Sequence, residues 1–261
     1  MLTRRVIVCL DVKGGRVVKG VNFVGLRDVG DPVSLSERYE LEGADEITFL
    51  DISASAEERA TLLDVARRTA ERLFIPLTIG GGVRTADDVA RALRAGADKV
   101  SVNSAAVTNP EMLTAAADRF GAQCVVASID AKKNADGVYK VWVKGGREET
   151  PLEAVAWAQE CVARGAGEIL LTSIDRDGAR IGYDLEITRA VAEAVHVPVI
   201  ASGGAGNAQH LVDAVQQAHA DAVLVAGILH DGLTTVHALK QVMRDAGLLV
   251  RETAGVAGVS E

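Results

Sequence analysis

Aromatic side chains are scarce in this sequence: two Trp, three Tyr and four Phe amount to 3% of 261 residues, so any core must be built from Val, Ile, Leu and Ala. Cysteine is scarcer. Cys9, Cys124 and Cys161 show no metal-ligand spacing and cannot all pair, which favours a reducing compartment. Cys9 and Cys124 lie in apolar runs and read as small core residues. No apolar run nears the ~20 residues of a membrane span, and no signal-peptide pattern precedes the strand-like run that Arg4 and Arg5 lead into. The expectation is a cytoplasmic protein with no membrane partner. Positive charge is not in excess either. A formal net charge of −8 argues against a nucleic-acid surface, although small phosphorylated ligands need only local donors.

Several chemistries are missing too. His196, His210, His219, His230 and His237 have no ligand spacing, so no metal site is expected and most of them should be helix or surface residues. No Gly-x-Ser-x-Gly elbow occurs. The glycine-rich stretches lack both the Lys-Ser/Thr of a nucleotide P-loop and the Gly-x-Gly-x-x-Gly order, and no cofactor is expected.

What is present is a repeat. Pro76-Leu77-Thr78-Ile79-Gly80-Gly81-Gly82-Val83 returns as Pro198-Val199-Ile200-Ala201-Ser202-Gly203-Gly204-Ala205, an offset of 198 − 76 = 122 residues. Gly43-Ala44-Asp45-Glu46-Ile47 and Gly165-Ala166-Gly167-Glu168-Ile169 keep the same offset, and Ala97-Asp98-Lys99-Val100 and Ala220-Asp221-Ala222-Val223 are 123 apart. The chain reads as two copies of one half, each too long to be a single solenoid unit. Thr85 and Asn207 stand where each glycine run gives way to a helix and could cap it. Adjacent backbone N–H groups at such a turn can converge on one anion, so two loops suggest two phosphate sites. Tight strand-to-helix turns that need glycine only for backbone reasons are the plainer alternative.

Strand-like runs at Val6–Asp11, Ile47–Asp51, Leu77–Ile79, Val100–Asn103, Cys124–Asp130, Ile169–Ser173, Val199–Ser202 and Ala222–Ala226 alternate with helical patterns near 33–42, 57–73, 86–95, 111–119, 152–164, 185–195, 208–217 and 234–246. Pro110 and Pro151 fall where a first-turn proline is tolerated. Strict alternation predicts a (β/α)8 TIM barrel of two similar half-barrels; a doubly wound open sheet is the alternative, and the half-length duplication favours closure. Residues 1–250 read as one domain, with half-barrels 1–120 and 121–250, and 251–261 as a disordered tail. Two connections are long. Val12–Pro32, with five glycines and Lys13 and Lys19, looks like a mobile lid, and Ala131–Thr150 like a small hairpin.

Asp11 and Asp130 end the first and fifth strands, diametrically opposed in an eight-stranded ring. Two carboxyls flanking a ligand suit general acid and general base work if burial raises one pKa, although a lone strand-end Asp more simply caps its loop. Asp51, Asp175 and Asp177 widen the acidic rim. Ser101, Asn103 and Ser104 could add phosphate donors beside Gly81 and Gly82, with Ala226-Gly227 in the matching place. Arg5, Glu46, Lys99 and Glu168 each precede an apolar run, at the face that usually serves stability, so a salt-bridge ring is the direct reading.

These residues also carry a resemblance. Val8-Cys9-Leu10-Asp11-Val12-Lys13, then Val17-Val18-Lys19-Gly20-Val21-Asn22-Phe23, Gly80-Gly81-Gly82-Val83, Ala97 through Ser104, Asp175-Arg176-Asp177-Gly178 and Ile200 through Gly206 resemble the cyclase subunit of imidazole glycerol phosphate synthase, from about residue 3 to 250. The resemblance implies a half-barrel-derived (β/α)8 fold and a step of histidine biosynthesis. In that step ammonia and a substrate with a phosphate at each end give imidazole glycerol phosphate and aminoimidazole carboxamide ribotide. It implies Asp11 and Asp130 as the acid–base pair and Lys19 on a closing loop. Gly81, Gly82, Asn103, Ser104, Asp177, Gly178, Ser202, Gly203, Gly204, Ala226 and Gly227 would form the binding set. A glutaminase subunit would dock on the N-terminal barrel face and send ammonia past Arg5, Glu46, Lys99 and Glu168, which the resemblance turns from a salt-bridge ring into a gate. The family commonly has Ala-Ser where this chain has Ala226-Gly227, one hydroxyl fewer at a phosphate site. The Ala131–Thr150 segment also diverges and carries no site assignment.

Two other functions compete. The sugar isomerase of the preceding step shares the half-barrels, phosphate sites and aspartate pair, but it needs no ammonia and does not normally run Cys-Leu-Asp-Val into Val-Lys-Gly-Val-Asn-Phe. A catalytically silent phosphate-binding subunit would have no need of both Asp11 and Asp130.

Overall fold

The computed structural model describes residues 2–21, 24–52 and 56–252. In chain order the strands are β1 (Arg5–Lys13), β2 (Arg16–Val21), β3 (Val24–Gly30), β4 (Glu46–Asp51), β5 (Leu77–Gly80), β6 (Lys99–Val102), β7 (Val125–Lys133), β8 (Tyr139–Val143), β9 (Glu148–Glu153), β10 (Glu168–Ser173), β11 (Val199–Ser202) and β12 (Ala222–Val225). The helices are α1 (Pro32–Leu41), α2 (Ala56–Ala70), α3 (Ala86–Arg94), α4 (Ser104–Thr108), α5 (Glu111–Phe120), α6 (Ala154–Ala163), α7 (Leu185–Ala194), α8 (Ala208–Gln216), α9 (Gly227–His230) and α10 (Val236–Asp245). Parallel pairing runs β1–β4–β5–β6–β7–β10–β11–β12 and returns to β1, where Arg5 pairs with Ala222 and Val8 with Val225. Eight strands close a (β/α)8 barrel.

The pleat divides each barrel strand between two environments. On β1, Val6, Val8 and Leu10 join the large cluster beneath the helices, whereas Ile7 and Cys9 join a smaller cluster with Val126, Leu170, Ile200 and Leu224 inside the ring. Arg5 and Asp11 continue that inward stripe at its two ends. Few aromatics suffice because both clusters are built mainly from aliphatic side chains.

The repeated motifs have a structural cause. The Asp98 carboxylate accepts the N–H of Leu77 at 2.8 Å, and Asp221 accepts that of Val199 at 3.1 Å. Each aspartate thus binds the first residue of the preceding barrel strand, which sets the register of the pair. Thr85 and Asn207 cap α3 and α8, and Thr85 forms a capping box with Asp88. Gly81 has φ +87°, and a Cβ there would lie 2.3 Å from the Asp51 carbonyl; Gly203 has φ +86° and its Cβ would lie 2.8 Å from the Ser173 carbonyl. Both glycines press against the strand before them, at places 122 residues apart.

Several expectations need correction. The Val12–Pro32 connection carries two strands that the sequence pattern did not show: β1 runs on to Lys13 and pairs with β2, and β2 with β3. The segment after Asp130 is a three-stranded antiparallel extension of β7, β8 and β9 rather than a lone hairpin. Pro151 lies in β9, where an outer strand tolerates a missing N–H, and α6 starts only at Ala154. Cys124 is half-buried in a 3₁₀ turn rather than a core residue, and the buried cysteines are Cys9 and Cys161. Short helices α4 and α9, absent from the sequence pattern, follow β6 and β12. Asn22, Phe23 and the tail beyond residue 252 lie outside the described residues. Among those described, no helix is long and apolar enough to cross a membrane.

Gly81→Ala should cost roughly 1–3 kcal/mol, because the new Cβ meets backbone that cannot move aside and φ stays positive. Thermal unfolding would show a Tm lower by several degrees. An unchanged Tm would mean that the loop is not held against β4.

Candidate active site

Asp11 and Asp130 project from β1 and β7, four strands apart in either direction around the ring. Burial, then the charge of Asp177, pushes the Asp11 carboxyl up to about 7. Burial also pushes Asp130 up to about 6; a hydrogen bond from the Asn103 side chain opposes the rise and the charge of Asp177 adds to it. Asp177 is itself raised by burial, against the backbone N–H of Gly178. Near neutral pH such a group of carboxyls holds protons that ordinary aspartates would have lost, and its titration belongs to the set rather than to one member. Trp142, directly opposite Asp130 on β8, shares its face of the sheet and was missed in the sequence because cross-strand register is not written there.

The two glycine loops stand in equivalent places on the mouth. Gly81-Gly82 follows β5 and precedes α3; Ser202 ends β11, and Gly203-Gly204 leads to α8. Next along each half, Asn103 (φ −116°, ψ −99°) opens α4 at Ser104, and Ala226 (φ −137°, ψ −75°) opens α9 at Gly227. The structure therefore brings each loop beside the start of a short helix, the pairing expected from 103 and 226. The Ser104 hydroxyl accepts the N–H of Lys144 at 2.9 Å, tying this rim to the turn between β8 and β9, a segment without a site assignment in the sequence. A Cβ on Gly227 would lie 3.5 Å from the Lys19 Nζ, an ordinary contact, so the missing hydroxyl reflects no shortage of room.

Lys19 lies on β2 and reaches the mouth. Its Nζ donates to the Gly227 carbonyl at 3.1 Å and forms an ion pair with Asp231. His230, just before, is one histidine that the sequence undervalued. Its Nδ1 is 2.7 Å from the Tyr39 hydroxyl and its Nε2 3.0 Å from the Cys9 carbonyl. Burial lowers its pKa to about 4, so the ring is neutral and links α9 to α1 and β1. A cleft of about 510 Å³ lies beside the mouth, between Lys133, Tyr139, Arg176, Asp184 and Glu186; neither Asp11 nor Asp130 lines it. Among the described residues no cluster of His, Cys, Asp or Glu could hold a metal ion.

At the opposite end of the barrel, Arg5, Glu46, Lys99 and Glu168 meet. Arg5 pairs with Glu46 at 2.5 Å and with Glu168; Lys99 pairs with both carboxylates at 2.9 Å. The carboxylates are almost buried, with 6% and 7% of their side chains exposed. Burial alone would lower the Arg5 pKa, but Glu168 and Glu46 outweigh it and raise it. The ring closes the N-terminal mouth with two charges of each sign.

Fold and geometry define the class: a closed (β/α)8 barrel with opposed, proton-holding aspartates at one mouth, paired glycine loops around them and a charged ring at the other mouth. A family model described as "Histidine biosynthesis protein" matches residues 5–235. The chain is 74% identical over 251 residues to imidazole glycerol phosphate synthase subunit HisF of Myxococcus xanthus, across 96% of this chain and 99% of that protein. It is 58% identical over 252 residues to the HisF subunit of Caulobacter vibrioides (96% and 97%) and 55% over 251 residues to that of Alkaliphilus metalliredigens (96% and 100%). The chain belongs to this family of histidine-biosynthesis proteins, among the HisF subunits of imidazole glycerol phosphate synthase.

The raised carboxyls fix a sign for stability. The folded state holds their protons more tightly than the unfolded chain, whose aspartates titrate near ~3.9. Their contribution is therefore complete below about pH 4 and is lost as pH rises through about 6 to 7. Asp11→Asn should flatten this fall, with the variant gaining stability over the parent as pH rises through that window. Chemical denaturation at several pH values checks it; parallel curves would contradict the raised pKa.

Proposed function

We propose that the chain is the lyase subunit that takes ammonia and a bis-phosphorylated ribulosyl substrate to imidazole glycerol phosphate and aminoimidazole carboxamide ribotide. The observation that carries the reading is the pair of raised carboxyls on opposite walls, between two loops of matching build. A substrate phosphate at Gly81-Gly82, Asn103 and Ser104 and another at Gly178, Ser202, Gly203-Gly204 and Ala226-Gly227 would stretch the ligand across the mouth, between Asp11 and Asp130. Forming a C–N bond from ammonia sheds N–H protons to a base. Releasing the ribotide requires a proton on its departing nitrogen. One ionised and one protonated carboxyl supply both roles. Lys19 adds positive charge beside the second phosphate, with Asp177 between the two walls.

Ammonia would come from a glutaminase subunit on the N-terminal face. Leu2, Phe74 and Leu41, 93%, 94% and 72% exposed, all stand at that end and fit a docking surface around the Arg5–Glu46–Lys99–Glu168 ring. The inward stripe of Ile7, Cys9, Leu170 and Leu224 leads from the ring toward the aspartates. Three unpaired cysteines agree with a cytoplasmic location. The two matched halves agree with residues 1–250 as one domain of fused half-barrels.

Asp11→Asn and Asp130→Asn should each lower kcat about 10²–10⁴-fold with a smaller effect on substrate affinity. The wild-type rate should depend on pH with limbs near 6 and 7. Two variants with wild-type kcat would sink the acid–base assignment. Glu46→Ala should reduce glutamine-driven turnover of the complex more than ammonium-driven turnover; equal losses would contradict the gate.

A further inference from the structure

Asp231, the residue after α9, receives three cations from three separate segments. Lys19 of β2, Arg27 of β3 and Arg180 of the β10–α7 connection all pair with its carboxylate. One carboxylate facing three cations is not an ordinary surface pair. Its side chain is 20% exposed and that of Lys19 21%, so this pair is shielded, while Arg180 and Arg27 at 41% and 56% screen it from outside. Exposed pairs taken singly contribute little. Here the network holds a two-stranded hairpin whose ladder to the barrel is short, the β1–β2 pairs Val12 with Val17 and Lys13 with Arg16. An isolated hairpin of two strands is marginal in water, so its position over the mouth depends on an outside anchor.

We propose that Asp231 is a positioning residue that latches the β2–β3 hairpin across the mouth and so holds Lys19 at the second phosphate loop. Lys19 reaches Gly227 and Asp231 together, one contact to the carbonyl that opens α9 and one to the carboxylate that ends it. His230 anchors this short helix to Cys9 and Tyr39, so the latch is fixed to the barrel wall two residues before Asp11. The cluster also carries two more positive than negative charges. An arriving phosphate at Ala226-Gly227 therefore meets cations already gathered, and Lys19 and Arg180 have a second anion to share.

The role of Lys19 toward substrate rests on the function proposed above, so the test has one arm that does not need turnover. Amide hydrogen exchange in β2 and β3 should be faster in Asp231→Asn than in the parent at low salt, with exchange in α10 unchanged. Raising the salt concentration should bring the parent toward the variant, because the latch is ionic. In the second arm, Asp231→Asn should lower ammonium-driven kcat/KM roughly tenfold to hundredfold through loss of Lys19 placement. Asp231→Glu should recover most of it. In a Lys19→Met background the same change should add no further loss, since the residue acts through Lys19. Hairpin exchange equal in parent and Asp231→Asn would overturn the latch. Additive losses in the double variant would overturn its action through Lys19. A parent without any turnover would sink the proposed reaction and leave the exchange arm standing.

Discussion

Closure of the sheet between β1 and β12 is the constraint on which the site depends. Pairing Arg5 with Ala222 and Val8 with Val225 fixes which residues of β1 face the lumen, and the two-residue pleat does the rest. Arg5, Ile7, Cys9 and Asp11 form one stripe, from the charged ring at the bottom through an apolar middle to a raised carboxyl at the top. A slip of one residue would send Asp11 into the aliphatic layer under the helices and bring Leu10 to the mouth. The same argument holds on β7 for Val126 and Asp130.

Duplication gives the two glycine loops the same surroundings. The Asp51 and Ser173 carbonyls stand where a Cβ on Gly81 or Gly203 would fall, Asp98 and Asp221 bind the preceding strand, and short helices open at Ser104 and Gly227. The halves also differ. Asp45 binds the N–H of Val6 at 2.8 Å, but its counterpart is Gly167, where a Cβ would lie 2.3 Å from the Ala122 carbonyl. The hairpin over the mouth belongs to the first half, while the residue that latches it, Asp231, belongs to the second.

Much of this was legible in the sequence because it is local or periodic. Eight β-rich runs, the caps at Thr85 and Asn207, and the offset of the glycine loops follow from neighbouring residues. The opposition of Asp11 and Asp130 follows from counting strands. Contacts that depend on closure were not legible. Nothing near Asp231 announces three cations from residues 19, 27 and 180, nothing near Ser104 announces Lys144, and a His at 230 gives no sign of its bonds to Tyr39 and Cys9. In the Val12–Pro32 stretch the glycines hide two strands: continuation of β1 to Lys13 templates β2, and β2 templates β3. For the ring of Arg5, Glu46, Lys99 and Glu168, composition alone favoured a stabilising role. The geometry of four charges closing one mouth fits the proposed gate as well as it fits a stabilising network.

The most direct measurement is turnover of the bis-phosphorylated ribulosyl substrate by this chain alone, with and without an ammonium salt. Turnover that appears only with ammonia, yielding both imidazole glycerol phosphate and the ribotide, is the predicted result. Tight binding of the substrate with no turnover under either condition would contradict it. The barrel would then be a phosphate-binding subunit whose aspartates do no chemistry.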